Sequence, residues 1–285
     1  MAKDPIATRV LGRTAARPTV LGLGGEGVLR TFGYDRQAAD VIHSALDEGL
    51  TYFDSARAYA GSERYYGASL DGMRQRIFLT SKAHERTKRG AAQMLDETLR
   101  NMRTDHLDLW QLHDVRTWDE IDAMGAPGGT FEAFAEAKQA GKTRFIGVTG
   151  HHDPRVLLAA IENFAFDTVL LPVNPCEAHT DAFARLVAPR AKERGLGVIG
   201  MKVLARGLLL NLEQPPSLQE LVDYALSQPV DVIILGCDSV AQVEANAEAA
   251  RRFRSMSPER LRELEQRLAR FSDQMLYYRP PALRA

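Results

Sequence analysis

The chain alternates between short unbroken apolar runs and longer stretches in which apolar residues recur every three or four positions. The runs are Val20–Leu23, Thr51–Phe53, Ile77–Thr80, Leu107–Leu112, Arg144–Val148, Thr168–Val173, Gly197–Met201 and Asp231–Leu235. Rich in Val, Ile, Leu and Phe and without alternation, they read as strands buried on both faces, as in a parallel sheet. The segments between them have helical spacing. The first carries Ala39, Ile42, Ala45 and Leu46 on one face, with Asp35 as its expected N-cap and Gly49 as its stop. Thr87–Met102, Thr130–Ala140, Pro154–Phe164, Asp181–Arg194, Ser217–Leu226 and Ser239–Phe253 read the same way, and Gly61–Leu70 is a weaker helix.

Strand starts recur roughly every 30 residues, the length of one βα unit. Eight units in a row, with no linker or shift in composition, predict a closed (β/α)8 TIM barrel occupying residues 1–285 as one domain. Two segments fall outside the count. Arg9–Val20, with Gly12 and Pro18, is expected to form an N-terminal β-hairpin that plugs the barrel floor. Ser257–Phe271 is an extra C-terminal amphipathic helix, followed by an irregular tail with Tyr277 and Tyr278. The stretch Asp114–Gly129 is long for a βα connection, and long loops in compact domains are often functional.

A rival pattern lies early in the chain. Residues 22–27, Gly-Leu-Gly-Gly-Glu-Gly, match the dinucleotide fingerprint G-x-G-x-x-G, and Asp54 stands where a ribose-binding acid would follow. An open doubly wound sheet is therefore the competing fold. The third glycine of that fingerprint should open a helix at once, but Val28–Tyr34 intervenes without periodicity. On the barrel reading these glycines form a flexible loop after the first strand, and Gly24 and Gly25 approach the ligand.

Composition narrows the function. The net charge is -1 over 285 residues, with no basic field for nucleic acid and no polybasic run for a lipid surface. The longest apolar stretch, Leu196 to Leu212, is interrupted by Lys202 and Arg206, so no membrane span is expected. Residues 1–10 lack the apolar core of a signal peptide. Cys176 and Cys237 form neither a disulfide framework nor a metal-ligand cluster, so no metal is expected and a reducing cytoplasm is. The sequence carries no signal of oligomeric state.

The chemistry lies at the predicted strand ends, where barrels place their active sites. Strand 2 ends in Asp54, strand 3 in Lys82 and strand 4 in His113, and Tyr59 follows in the loop after strand 2. Alone, each has an ordinary explanation: a capping Asp, a rim aromatic, a solvated Lys, a hydrogen-bonded structural His. Together they suit hydride transfer to a carbonyl. Negative charge builds on the oxygen, which needs a proton donor and a nearby cation. Tyr59 would donate, its pKa lowered by the Lys82 ammonium. Asp54 would hold Lys82 charged, and His113 would orient the substrate oxygen.

The segment FDSARAYAGSERYYGASL resembles the aldo-keto reductase signature, and LTSK and LDLWQLH resemble that family's lysine and histidine segments. The likeness runs in order along nearly the whole chain. It implies an NADP-preferring carbonyl reductase (NAD possible) with the tetrad Asp54, Tyr59, Lys82 and His113. Cofactor contacts carry over onto Thr149 in strand 5, Asn174 after strand 6, and Met201, Lys202, Leu204 and Arg206 at strand 7. Cys237, Ser239, Gln242 and Asn246 follow at strand 8. Ala60, Gly150, Leu170, Gly236 and Gln242 depart from the family pattern. Gly150 cannot replace the usual Asn, leaving His151 as a candidate for part of the carboxamide grip. Gly236 and Gln242 stand where many relatives carry cations against a 2′-phosphate. The expected partner is a small carbonyl substrate, with Trp118, Met124, Tyr277 and Tyr278 walling an apolar pocket. The alternative function is a cofactor-binding sensor or regulatory subunit on the same fold.

Overall fold

The computed structural model describes residues 3–284; Met1 and Ala2 of the N-terminal segment lie outside it, as does Ala285. Eight parallel strands close into a barrel in chain order, with the last strand pairing with the first. They are β1 (Leu21–Gly27), β2 (Tyr52–Phe53), β3 (Phe78–Ala83), β4 (Leu107–Leu112), β5 (Thr143–Thr149), β6 (Thr168–Pro172), β7 (Gly197–Met201) and β8 (Val232–Cys237). The fold is thus the closed barrel that the eight apolar runs predict, not the open sheet.

Within these apolar strands the side chains still alternate. Tyr52, Phe78, Leu109, Leu170, Ile199 and Val232 point inward and form a cluster inside the barrel. Neighbours such as Trp110 and Leu112 point out against the helical layer. Trp110 lies flat on Phe134, with ring centroids 3.7 Å apart.

The helices are α1 (Asp35–Asp47), α2 (Ser62–Ser69), α3 (Lys88–Met102), α4 (Trp118–Gly125), α5 (Thr130–Gln139) and α6 (Pro154–Asn163). They continue with α7 (Phe183–Leu186), α8 (Ala188–Glu193), α9 (Leu218–Leu226), α10 (Val240–Arg251), α11 (Pro258–Leu268) and α12 (Ser272–Met275). Thr87, Asp153, Ser217, Ser239 and Ser257 cap their helices by accepting a backbone N–H, as their residue types favour. Three local expectations change. Asp35 is the first helical residue rather than the cap, where its charge still favours the positive end of the helix. The single helix expected over 181–194 is two, because Pro189 has no N–H to donate and crowds the preceding turn. The long stretch after β4 holds α4, started by a capping box between Thr117 and Glu120.

The floor segment turns back on itself as expected, but with one antiparallel bridge, Thr8 to Thr19, instead of two strands. Arg9 N–H donates to Pro18 O at 3.2 Å, and proline has no N–H with which to return the bond. Leu11 at the tip is fully buried among the inward-facing side chains. It rests on Gly197, where a Cβ would come within 2.7 Å of the Leu11 side chain. At the opposite end, the C-terminal tail is held by a buried polar knot. Arg279 donates to Glu177 Oε1 at 3.0 Å, Tyr278 Oη donates to the same oxygen at 2.8 Å, and Asn174 Nδ2 donates to Tyr278 Oη at 3.0 Å. The knot seats Tyr277 and Tyr278 over the carboxyl ends of the strands. Among the described residues no helix is long and apolar enough to cross a membrane.

Candidate active site

A cavity of about 1510 Å³ opens at the carboxyl ends of the strands. Asp54, Tyr59, Lys82 and His113 all line it, delivered by three consecutive strands and one loop. Lys82 Nζ donates to Asp54 Oδ2 at 2.6 Å and to Ser55 O at 2.7 Å. Thr80 Oγ1 donates to the other carboxylate oxygen at 3.0 Å. Both charges are about 1% exposed, so each depends on the other for its only strong compensation. Burial pushes Asp54 up and Lys82 down, and their mutual attraction opposes both shifts.

The Lys82 ammonium stands 5.1 Å from the centre of the Tyr59 ring. The His113 ring meets Tyr59 edge to face, with centroids 5.7 Å apart. Gly25 makes the approach possible: a Cβ there would lie 2.7 Å from Asp54 O and 2.8 Å from the Tyr59 ring. This corrects the expectation for the glycines. They are not a flexible loop but the upper part of β1, and Gly24 and Gly25 give room to neighbouring protein as well as lining the cavity.

Tyr59 is not acidified in this state. Burial raises its pKa well above the phenol value, with Asp54 and Glu26 adding to the rise and Arg30 opposing it. The lowering expected from Lys82 is outweighed by burial and by the Asp54 carboxylate that stands 2.6 Å from its ammonium. Burial, and then the Lys82 charge, hold His113 well below its ordinary value. Its imidazole is therefore neutral, with one N–H to give, and Nδ1 is buried with no hydrogen-bond partner among the described residues.

The remaining predicted positions divide. Thr149, Met201, Lys202, Leu204, Arg206, Gln242 and Asn246 line the cavity, as do His151, Tyr277 and Tyr278. Asn174, Cys237 and Ser239 do not. The amide of Asn174 is consumed within the fold: it accepts from Cys176 N at 3.1 Å and donates to Tyr278. Cys237 is a buried thiol whose sulfur accepts from Asn246 Nδ2 at 3.2 Å. Ser239 spends its oxygen on capping α10, while Gln242 Oε1 takes the Asp238 N–H at 2.6 Å, so this helix start is self-satisfied. Trp118 and Met124 also miss the cavity. Trp118 is 55% exposed on α4, and Met124 is packed in the core.

Several lining residues escaped the sequence reading. Glu26 bridges Arg30 at 3.0 Å and Arg206 at 3.4 Å across the cavity mouth. His84, Arg86, Asp114, Arg116 and His152 face the same space. They lie one to four residues beyond the ends of β3, β4 and β5, so counting onward from each predicted strand end would have found them. They replace the expected apolar wall with a polar one.

The cavity suits a nicotinamide dinucleotide. Met201 offers a polarizable apolar face, and Thr149 Oγ1, which accepts from Asp114 N at 2.8 Å, keeps its own O–H to donate. Lys202 and Arg206 bring two cations to the cavity wall, in a loop whose backbone is left-handed at Lys202 (φ 60°), Ala205 (φ 45°) and Arg206 (φ 58°). Strained non-glycine backbone of this kind concentrates at functional sites. Beside them the Tyr277 hydroxyl is buried and without a hydrogen-bond partner among the described residues.

The Aldo/keto reductase family profile matches residues 20–220, most of the barrel. The chain belongs to the aldo/keto reductase family. Among curated relatives it is similar to L-galactose dehydrogenase of Arabidopsis thaliana, 26% identical over 91% of this chain and 93% of the relative. Among solved structures it superposes on the holo form of an aldo-keto reductase from Bacillus halodurans with a TM-score of 0.77. That pair is 25% identical over 93% of this chain and 96% of the other. An aldo/keto reductase from Klebsiella pneumoniae, solved with NADP and acetate, shares the fold with a TM-score of 0.73 and 22% identity, covering 93% of this chain and 96% of that one. In this aldo/keto reductase the signature segment, residues 53–70, falls on the end of β2, the loop after it and α2, at the open end of the barrel.

Proposed function

We propose that the chain, residues 1–285 acting as one cytoplasmic unit, reduces the carbonyl group of a small polar substrate with a nicotinamide cofactor. The observation that carries this reading is the buried Lys82–Asp54 pair, 2.6 Å apart, standing beneath Tyr59 and facing His113 across one cavity. Met201, Lys202, Leu204, Arg206 and Thr149 would hold the cofactor, with Gly24, Gly25, Gln242 and Asn246 along its length. The reduced nicotinamide supplies the hydride.

The side chains do the rest. His113, neutral, donates its N–H to the carbonyl oxygen and fixes its direction. As charge develops on that oxygen, the Tyr59 O–H moves its proton across, and the alcohol forms. The phenolate left behind is stabilised by the ammonium behind the ring and regains its proton from solvent. Asp54 keeps Lys82 charged throughout. The donor is a protonated phenol, which is the form that burial favours. The reductive rate should therefore hold through neutral and mildly alkaline pH. It should fall only above the ordinary phenol value of about 10. A pH profile of single-turnover reduction checks this; an alkaline limb below about pH 9 would contradict it.

Polar walls from His84, Arg86, Asp114 and Arg116 favour a hydroxylated carbonyl compound over an apolar one. The relative named for L-galactose fits the same direction. At the Gln242 and Asn246 end the lining offers Gly236 and Asp238, and the Arg30 and Arg206 guanidiniums on that side are both paired with Glu26, which packs against Gly236. The cofactor is NADP, with NAD also accepted. A phosphate without a charge-assisted partner gains little, so NADPH should bind no more than about tenfold tighter than NADH. Calorimetric titration with each cofactor measures the ratio. A preference above a hundredfold would mean that a cation reaches the phosphate after all. Consumption of NADPH on adding a panel of hydroxy-aldehydes, and none by the Tyr59→Phe variant, is the primary test of the activity.

A further inference from the structure

We propose that Asp114, His151 and His152 form a divalent-metal site in the substrate half of the cavity, suited to a borderline ion such as Zn²⁺. The three residues come from two loops far apart in sequence, after β4 and after β5. The loops are stitched together: Asp114 N donates to Thr149 Oγ1 and Val115 N donates to Thr149 O, both at 2.8 Å. His151 Nε2 lies 3.3 Å from Asp114 Oδ1, His152 Nε2 lies 3.7 Å from Asp114 Oδ2, and the three ligating atoms all fall within 4.8 Å of one another.

Tetrahedral zinc with bonds of 2.0–2.1 Å holds its ligand atoms roughly 3.3–3.4 Å apart. The His151–Asp114 pair is already at that spacing, and His152 Nε2, 3.7 Å from Asp114 Oδ2, would have to move inward on binding. A second observation points to a cation. Asp114 Oδ1 is buried and has no hydrogen-bond partner among the described residues. With only the His151 ring nitrogen beside it, at 3.3 Å and making no hydrogen bond, that buried carboxylate oxygen is poorly compensated, and a bound cation removes the cost. Two imidazoles and one carboxylate are a ligand set that zinc uses with a fourth position open, and here that position faces the cavity. Arg116 is the competitor. Its Nε donates to Asp114 Oδ2 at 2.7 Å, but its side chain is more than half exposed and free to swing away.

A metal held here would stand in the path of the carbonyl substrate and inhibit competitively with it. That consequence rests on the reductase reading above; the binding itself does not. Titration of tag-free protein with Zn²⁺ should give one site per chain. His152→Gln and Asp114→Asn should each weaken it at least tenfold, while Arg116→Gln, on a half-exposed side chain, should tighten it. With Co²⁺ in place of Zn²⁺, the intense visible bands of a four-coordinate ion should appear and be lost in His152→Gln. Binding well below one equivalent would overturn the site. So would unchanged affinity in folded His152→Gln and Asp114→Asn proteins, with circular dichroism confirming the fold. Zinc binding without competitive inhibition would remove the reductase consequence alone and leave the site standing.

Discussion

Tyr59→Phe lowers the rate of carbonyl reduction by about 10²–10⁴-fold, the usual contribution of a positioned general acid. The substitution removes one oxygen and nothing else. The ring that packs against Gly25, the Lys82 ammonium and the edge of His113 remains. Cofactor affinity and thermal stability should stay within about twofold and within about 1 kcal/mol of the parent, the range of a change that breaks no buried bond. The separation matters: a loss of rate with intact cofactor binding marks the missing proton, whereas joint loss marks a damaged pocket. Steady-state kinetics with saturating cofactor, alongside calorimetric cofactor titration, read the two apart. Turnover unchanged by the substitution would remove Tyr59 from the donor role.

The second large effect concerns the pair beneath that ring. Lys82→Met leaves the Asp54 carboxylate buried beside Thr80 with no cation. Breaking a buried ion pair by removing one partner costs about 3–5 kcal/mol, because the surviving charge has no solvent and no counter-charge. Asp54→Asn strands the ammonium in the same way, although Ser55 O still accepts from it at 2.7 Å. Combining the two removes both charges, so the double variant should recover most of the stability that either single variant loses. Activity should not return, since the phenolate of the reaction loses its cation. Urea unfolding followed by circular dichroism gives the stabilities, and NADPH consumption gives the rates. A double variant as unstable as the sum of the singles would show that the pair is not a closed electrostatic unit.

Much of this site was readable along the chain because its parts sit at strand ends. Asp54, Lys82 and His113 each terminate an apolar run, and a closed parallel barrel brings all such ends to one face. The family resemblance carried over Thr149, Met201 and Lys202, which line the cavity. It also carried over Asn174, Cys237 and Ser239, which do not, for one shared reason. Each has a polar atom of the right type at a strand end, but local partners satisfy it first: the tail for Asn174, the Asn246 amide for Cys237, the helix start for Ser239. Trp118 and Met124 failed because the stretch after β4 folds into a helix, which turns one outward and buries the other.

The order of apolar runs and helical stretches, by itself, determined the barrel, its direction and the residues that reach its open end. Those are consequences of periodicity and chain order, which local sequence carries. Only the packed structure decided which charges neutralise each other, which phenol is buried enough to stay protonated, and which loops from separate units touch. Those outcomes depend on distances between residues far apart in sequence and on how much water each group loses, and no local pattern encodes either.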